Sequence, residues 1–270
     1  MKILSIGNGL SRCAHSYLPK IAKCDNMSMT LANLYSYKCS LEDYSRNAET
    51  GEGKYTFEYY DEGRMKLNEI DNFSLERALS WEEWDIVTLQ QAAAMSGLEE
   101  TYIPYIGSLC SFIREKCPTA MIFLHQTWAY DSLYEGEEFD KYGRDSAKMQ
   151  QMINSCCQLA LESCMADGII PAGEAFAIER ERYGTALTGD GIHGSRAGDF
   201  LASAVWYCTL TGNDIRKNTY RLPFVDKTLT IQLKNTAYSV CSKLNQPVFS
   251  SLGQFSDTVG EVRRKNGFVL

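Results

Sequence analysis

Five short apolar runs, spaced widely enough for helices between them, constrain this chain more than any other feature. Four are clear: Lys2–Gly7 (KILSIG), Asp85–Gln90 (DIVTLQ), Ala120–His125 (AMIFLH) and Gly168–Ala172 (GIIPA). A weaker fifth, Met29–Tyr35 (MTLANLY), falls between the first two. Short, near-continuous apolar runs read as strands buried on both faces. The intervening stretches carry a helical period: Ile103, Ile106, Leu109 and Ile113 in Thr101–Lys116; Met149, Met152, Ile153, Leu159 and Leu161 in Asp145–Ala166; Phe200, Leu201, Val205 and Trp206 in Ala197–Thr211. Pro104 suits a first helical turn. Such alternation predicts a parallel sheet with right-handed crossovers, covered on both faces. The expected fold is therefore a three-layer α/β/α sandwich with a flavodoxin-like sheet of about five strands.

No repeat or Pro/Ser-rich linker divides residues 1–270, so one domain is expected. The segment Lys54–Asn68 alternates aromatic and charged residues around Asp-Glu-Gly, the pattern of a hairpin inserted as an excursion. After residue 225 the stretch Lys227–Leu244 predicts a C-terminal helical extension.

The net charge of −7 argues against a nucleic-acid binder, which would present a basic face. No apolar run approaches the ~18 residues needed to span a bilayer. The opening MKILSIGNG reads as a strand rather than a signal peptide. Ten cysteines include no CxxC and no zinc spacing, and Cys110/Cys117 and Cys157/Cys164 fall two helical turns apart. Buried free thiols in a reducing compartment are the expectation. An opening read as a strand suggests a cytoplasmic location; no membrane partner, metal or cofactor is expected.

In an open parallel sheet the site lies at the carboxyl ends of the strands. Polar clusters gather there: Gly7-Asn8-Gly9, Lys38-Cys39-Ser40, Gln90-Gln91, His125-Gln126-Thr127-Trp128, and Glu174. The strongest local signal is Leu187-Thr188-Gly189-Asp190-Gly191-Ile192-His193-Gly194-Ser195. An Asp three residues before a His can hold the imidazole so that its other nitrogen acts as a general base. The same residues also suit a helix N-cap region with a surface His.

Taken in order, KILSIGN, YLPKIA (17–22), CSLEDY (39–44), WDIVTLQQ (84–91), LHQTWAY (124–130), IIPAGEAF (169–176) and LTGDGIHGSRAGDFLASAVWY (187–207) resemble the SGNH (GDSL-like) hydrolases, and more closely a subgroup of unassigned function. The resemblance spans roughly residues 2–210. It implies a serine nucleophile after strand one, a late Asp–His pair, and an oxyanion hole of backbone and side-chain donors. Asp190 and His193 match the pair. The nucleophile position is Gly9, which has no side chain and cannot form an acyl-enzyme. Oxyanion donors would come from Gly9, Lys38 and one of Gln90 and Gln91, which point to opposite faces of the strand. A Gly-Gly expected before CSL is Tyr37-Lys38 here. Asn8, Gln126, Thr127, Trp128, Tyr130 and Glu174 would line the substrate pocket, with Trp128 either a sugar platform or rim packing. Ser11 is a weaker substitute nucleophile, Cys13 falls inside the helix, Ser5 faces packed structure, and His15 belongs to the first helix.

These features imply an esterase for a small ester, such as an O-acetylated carbohydrate. An inactive relative that binds a carbohydrate or other small ligand, and attack by water activated by His193, are the competing readings.

Overall fold

The computed structural model describes residues 1–61, 66–184 and 186–244. Its seven-stranded sheet runs β4-β3-β2-β1-β5-β6-β7. The strands are β1 (Lys2–Gly7), β2 (Thr30–Tyr35), β3 (Tyr55–Asp61), β4 (Lys66–Phe73), β5 (Ile86–Leu89), β6 (Met121–His125) and β7 (Gly168–Ile170). The five runs read from the sequence are the five parallel strands, in the order β2-β1-β5-β6-β7. Gly168–Ala172 is shorter than expected, because Pro171 ends the strand and Ala172 already begins a helix.

The hairpin is longer than residues 54–68 and is no excursion. It continues the sheet: β3 pairs antiparallel with β2, and β4 with β3. Its Asp-Glu-Gly turn runs into residues 62–65, outside the described residues. A buried charge explains the docking. Glu58 of β3 is 2% exposed; it accepts from Asn33 Nδ2 of β2 at 2.8 Å and ion-pairs with Arg12. A buried carboxylate needs such partners, since an unpaired one costs several kcal/mol.

Alternating strand residues feed two cores. One face carries Ile3, Leu31, Ile86, Met121 and Phe123 against α1 (Gly9–His15), α2 (Leu18–Cys24), α7 (Ala172–Tyr183), α8 (Arg196–Thr211) and α9 (Lys227–Cys241). The other carries Leu4, Ile6, Leu34, Val87, Leu89, Ile122 and Leu124 against α3 (Leu41–Thr50), α4 (Leu75–Leu79), α5 (Tyr105–Lys116) and α6 (Ser146–Ser163). The helix expected over Thr101–Lys116 starts later, at Tyr105, with Pro104 as its N-cap and Ile103 exposed. Helix α8 is buried along nearly its whole length, so its first turn cannot shift without disturbing the core. That first turn follows the Asp190–His193 loop directly.

Nine of the ten cysteines are buried or half-buried and all are free; Cys24 is exposed. Burial pushes the Cys39 thiol up to about 12 and the Cys117 and Cys156 thiols up to about 11, so these are poor nucleophiles. No described helix is long and apolar enough to cross a membrane, and no cluster of three metal-ligating side chains occurs among the described residues.

Candidate active site

Strand β1 ends at Gly7, and the chain turns into α1 through Asn8. The Asn8 side chain accepts from Leu10 N at 2.9 Å, so this residue is the helix cap. Capping α1 is the role the geometry records for Asn8. Gly9 follows as the first helical residue, at the carboxyl end of β1 and beside β5. This is the point where the order of parallel strands reverses, and open α/β sheets place ligands there.

His193 stands over Gly9. A Cβ on Gly9 would lie 2.8 Å from His193 Nε2 and 2.9 Å from its Cδ2. The other ring nitrogen, Nδ1, is 2.7 Å from Asp190 Oδ2. Asp190 Oδ1 accepts from the backbone N–H of Ile192 and of His193, at 2.9 and 2.7 Å. Burial pushes the Asp190 carboxyl up, but His193 and these two N–H groups outweigh it and hold the carboxyl below its ordinary range. The carboxylate thus remains ionised and fixes the ring with Nε2 directed at position 9. Both side chains are about half exposed.

The loop that carries this pair is braced from several sides. Thr188 and Gly194 bridge across its base, and Ser195 N donates to Leu187 O at 2.7 Å. Asp131 N donates to Gly191 O at 3.1 Å, and Thr188 Oγ1 donates to Asp131 Oδ2. Trp128 Nε1 donates to Ile192 O at 2.6 Å. Gly191 has φ +85°, and a Cβ there would stand 2.3 Å from Tyr134 N. Only glycine permits both that conformation and that approach.

The remaining expected site residues divide sharply. Gln90 turns inward: Oε1 accepts from Ser11 Oγ at 2.6 Å and is 2.9 Å from His125 Nδ1. Its amide nitrogen is buried and meets no acceptor among the described residues. Gln91 points away and braces two loops, accepting from Leu41 N and Ala92 N and donating to Thr101 O. Of the two glutamines, Gln90 is the one that retains an uncommitted donor. Ser11 is 1% exposed and committed to Gln90. Ser5, on β1, accepts from Thr88 Oγ1 at 3.0 Å and lies 2.9 Å from His15 Nε2.

Lys38 takes φ +54°, the left-handed region. The backbone therefore keeps, at a cost of about 1–2 kcal/mol, a conformation that glycine adopts freely. Its ammonium reaches Glu138 Oε1 at 2.7 Å, and Tyr134 Oη donates to Glu138 Oε2 at 2.7 Å. The Lys38 and Tyr134 hydrogen bonds hold the Glu138 carboxyl down to about 2. This Lys38–Glu138–Tyr134 link joins the β2 loop to the segment packed on Gly191.

The β6 loop is packed. Trp128 is 1% exposed and stacked on Phe176, with ring centroids 4.2 Å apart and 5° between planes. Of the two roles the sequence left open for it, packing is what the structure records, and its N–H positions the His193 loop. Tyr130 is buried against Tyr134 and Phe139. Gln126 is buried; its Oε1 accepts from Glu174 N at 3.2 Å. Thr127 is buried with its hydroxyl unpartnered among the described residues. Glu174 lies in the first turn of α7, where the helix dipole favours an acid. Sequence reasoning missed Asp131, Tyr134 and Glu138, whose roles appear only when the 131–138 segment is folded against Gly191.

Residues 2–240 match the family described as "Domain of unknown function (DUF4886)". Against the curated proteins the chain finds no match. The crystal structure of a DUF4886 family protein from Bacteroides uniformis ATCC 8492 superposes with a TM-score of 0.86 at 27% identity, over 89% of this chain and 94% of that one. A proposed SGNH hydrolase from Slackia heliotrinireducens gives 0.52 at 20% identity, over 77% of this chain and 97% of that one. The sheet order and the superpositions show the α/β fold of the SGNH hydrolases. The chain belongs to the DUF4886 family.

Proposed function

We propose that the chain is a small-ester hydrolase of SGNH type that has kept its general base and lost its covalent nucleophile. The observation that carries this reading is the Asp190–His193 pair at 2.7 Å with Nε2 set against Gly9. An Asp–His pair so oriented is what acyl transfer requires of its base. Without a serine, His193 Nε2 takes a proton from water, and the hydroxide adds to the ester carbonyl. The tetrahedral oxyanion is met by the backbone N–H groups of Gly9 and Lys38 and by the Gln90 amide. Collapse breaks the bond to the alcohol oxygen, which leaves with the proton held by His193. No metal or cofactor takes part in these steps. The sugar part of an O-acetylated carbohydrate would have to be held elsewhere than on Trp128, whose face is stacked on Phe176.

Ligand binding without turnover is the second reading. It is favoured by the seating of the His193 ring against Gly9, where an attacking atom would stand.

Hydrolysis of p-nitrophenyl acetate by the chain, by His193→Ala, by Gly9→Ser and by the double variant separates the two. Slow, burst-free hydrolysis abolished by His193→Ala supports water attack. A gain of at least ~100-fold in Gly9→Ser, lost in the double variant, supports an intact site lacking only its nucleophile. No hydrolysis by any of the four overturns the esterase reading.

A further inference from the structure

A second carboxyl, Asp199, lies beneath the His193 loop and belongs to none of the roles above. It sits in the first turn of α8, six residues after His193, and is half-buried. Its Oδ2 accepts from Ser16 Oγ at 3.3 Å, and the Cys13 side chain faces the carboxyl. Cys13 belongs to α1, one turn after Gly9, and its sulfur accepts from Gly194 N at 3.3 Å. Gly194 itself rests on the carboxyl: a Cβ there would stand 2.2 Å from Asp199 Oδ1. That oxygen is buried and has no partner among the described residues.

We propose that Asp199 is a positioning residue for the base: through Cys13 and Gly194 it ties the helix that carries position 9 to the loop that carries His193. The inference rests on the hydrolase reading only in calling His193 the base. Asp199 touches neither Gly9 nor the ring, so it acts through the two residues between. The link is short and has no slack on the α8 side, because that helix is buried along its length. Ionisation of the carboxyl therefore alters the seat of Gly194 and, one residue away, of His193.

The groups that face Asp199 are few. From α1 and the joint after it come Cys13, Ser16 and Tyr17; from the loop comes His193. Asp190 acts on Cys13, and Arg196 acts on Tyr17. Burial raises the Asp199 carboxyl to about 6, against the opposing pull of Cys13, Ser16 and His193. Its ionisation thus falls within the working range of most proteins.

The test is a pH titration of the His193 ring by NMR in the otherwise unaltered chain, followed in Asp199→Asn, Asp199→Glu and Cys13→Ala. The other two histidines are held neutral by burial well into the acid range, so His193 is distinguishable. The expected result is a second step in the His193 signal that coincides with ionisation of the Asp199 carboxyl, which is followed by its own side-chain NMR signal. Asp199→Asn and Cys13→Ala should remove it, and Asp199→Glu should keep it. In a Gly9→Ser background, Asp199→Asn should lower kcat about tenfold with KM unchanged. A second step that persists in Asp199→Asn, or its absence from the parent chain, overturns the proposal. If Gly9→Ser shows no hydrolysis, the ring titration still decides, since it does not depend on turnover.

Discussion

The imidazole of His193 occupies the space that a side chain at Gly9 would enter, its Nε2 only 2.8 Å from the position of a Cβ. Real Cβ atoms do not approach a nitrogen so closely, so a side chain at position 9 makes the ring give by a few tenths of an ångström; a serine hydroxyl can hold the shifted ring as its hydrogen-bond partner, and an alanine cannot. Gly9→Ala tests this without chemistry. The ring should swing aside and the Nδ1 contact to Asp190 should lengthen, seen as a changed His193 NMR signal. Hydrolysis should not rise, in contrast to Gly9→Ser. An unperturbed ring in Gly9→Ala would show that the contact does not exist in solution.

Trp128 holds the same loop from behind. Trp128→Phe preserves the stack on Phe176 and removes the hydrogen bond to Ile192 O. The expected loss is about 1–2 kcal/mol, the usual size for stranding a buried carbonyl. Urea denaturation measures it. Amide exchange should quicken at Ile192 and His193 more than in the distant hairpin.

Lys38 pairs with Glu138 at the surface, where solvent screening leaves such a pair little net effect. Its left-handed backbone costs about 1–2 kcal/mol, which glycine does not incur. Lys38→Gly should therefore be neutral or stabilising, by at most about 1–2 kcal/mol. Lys38→Val, which forces a β-branched residue into the same conformation, should destabilise by about 1–3 kcal/mol. Equal effects of the two in thermal melts would show that the backbone strain is not there.

Two histidines set the acid limit. Burial lowers His125 to about 3 and His15 to about 4, and the charge of His15 lowers His125 further. Unfolded histidine takes its proton near pH 6.5. As pH falls below that value the unfolded chain binds protons that the folded chain refuses, so stability declines from about pH 6.5 down to about pH 4. His15→Gln should flatten this decline in Tm. A parallel decline in the variant would place its origin elsewhere.

Asp199 works in the opposite sense. Its folded value of about 6 lies above the ordinary carboxyl value, so it favours the folded state at low pH and loses that contribution as pH rises from about 4 through 6. The Tm of Asp199→Asn minus that of the parent should grow over this window. A difference independent of pH would show that the carboxyl ionises freely.

What the sequence made legible follows from where information is local. The apolar runs and the Asp190–His193 spacing are properties of neighbouring residues: the runs appear as the parallel strands, one cut short by Pro171, and the pair as a 2.7 Å contact. The hairpin was recognisable from its alternation, but its place on β2 depends on Glu58 meeting Asn33 and Arg12, residues 25 and 46 positions away. The sequence groups Asn8 with the polar residues at the strand ends, and only the folded turn shows its side chain capping α1. The Gln90/Gln91 alternative had no solution in sequence, because strand alternation separates the two without saying which face meets Ser11. Trp128 has the same origin: its aromatic character was visible, and its partner Phe176, on another element, was not.

The hairpin also decides how copies of this chain can meet. Without it, β2 would present a long row of unpaired N–H and C=O groups, a template on which another strand can grow. With it, the outermost strand is β4, which bears Glu69 and Asp71, while the opposite edge is β7, only three residues long. A charged edge and a short one both resist strand addition, so the fold carries its own protection against edge-to-edge aggregation.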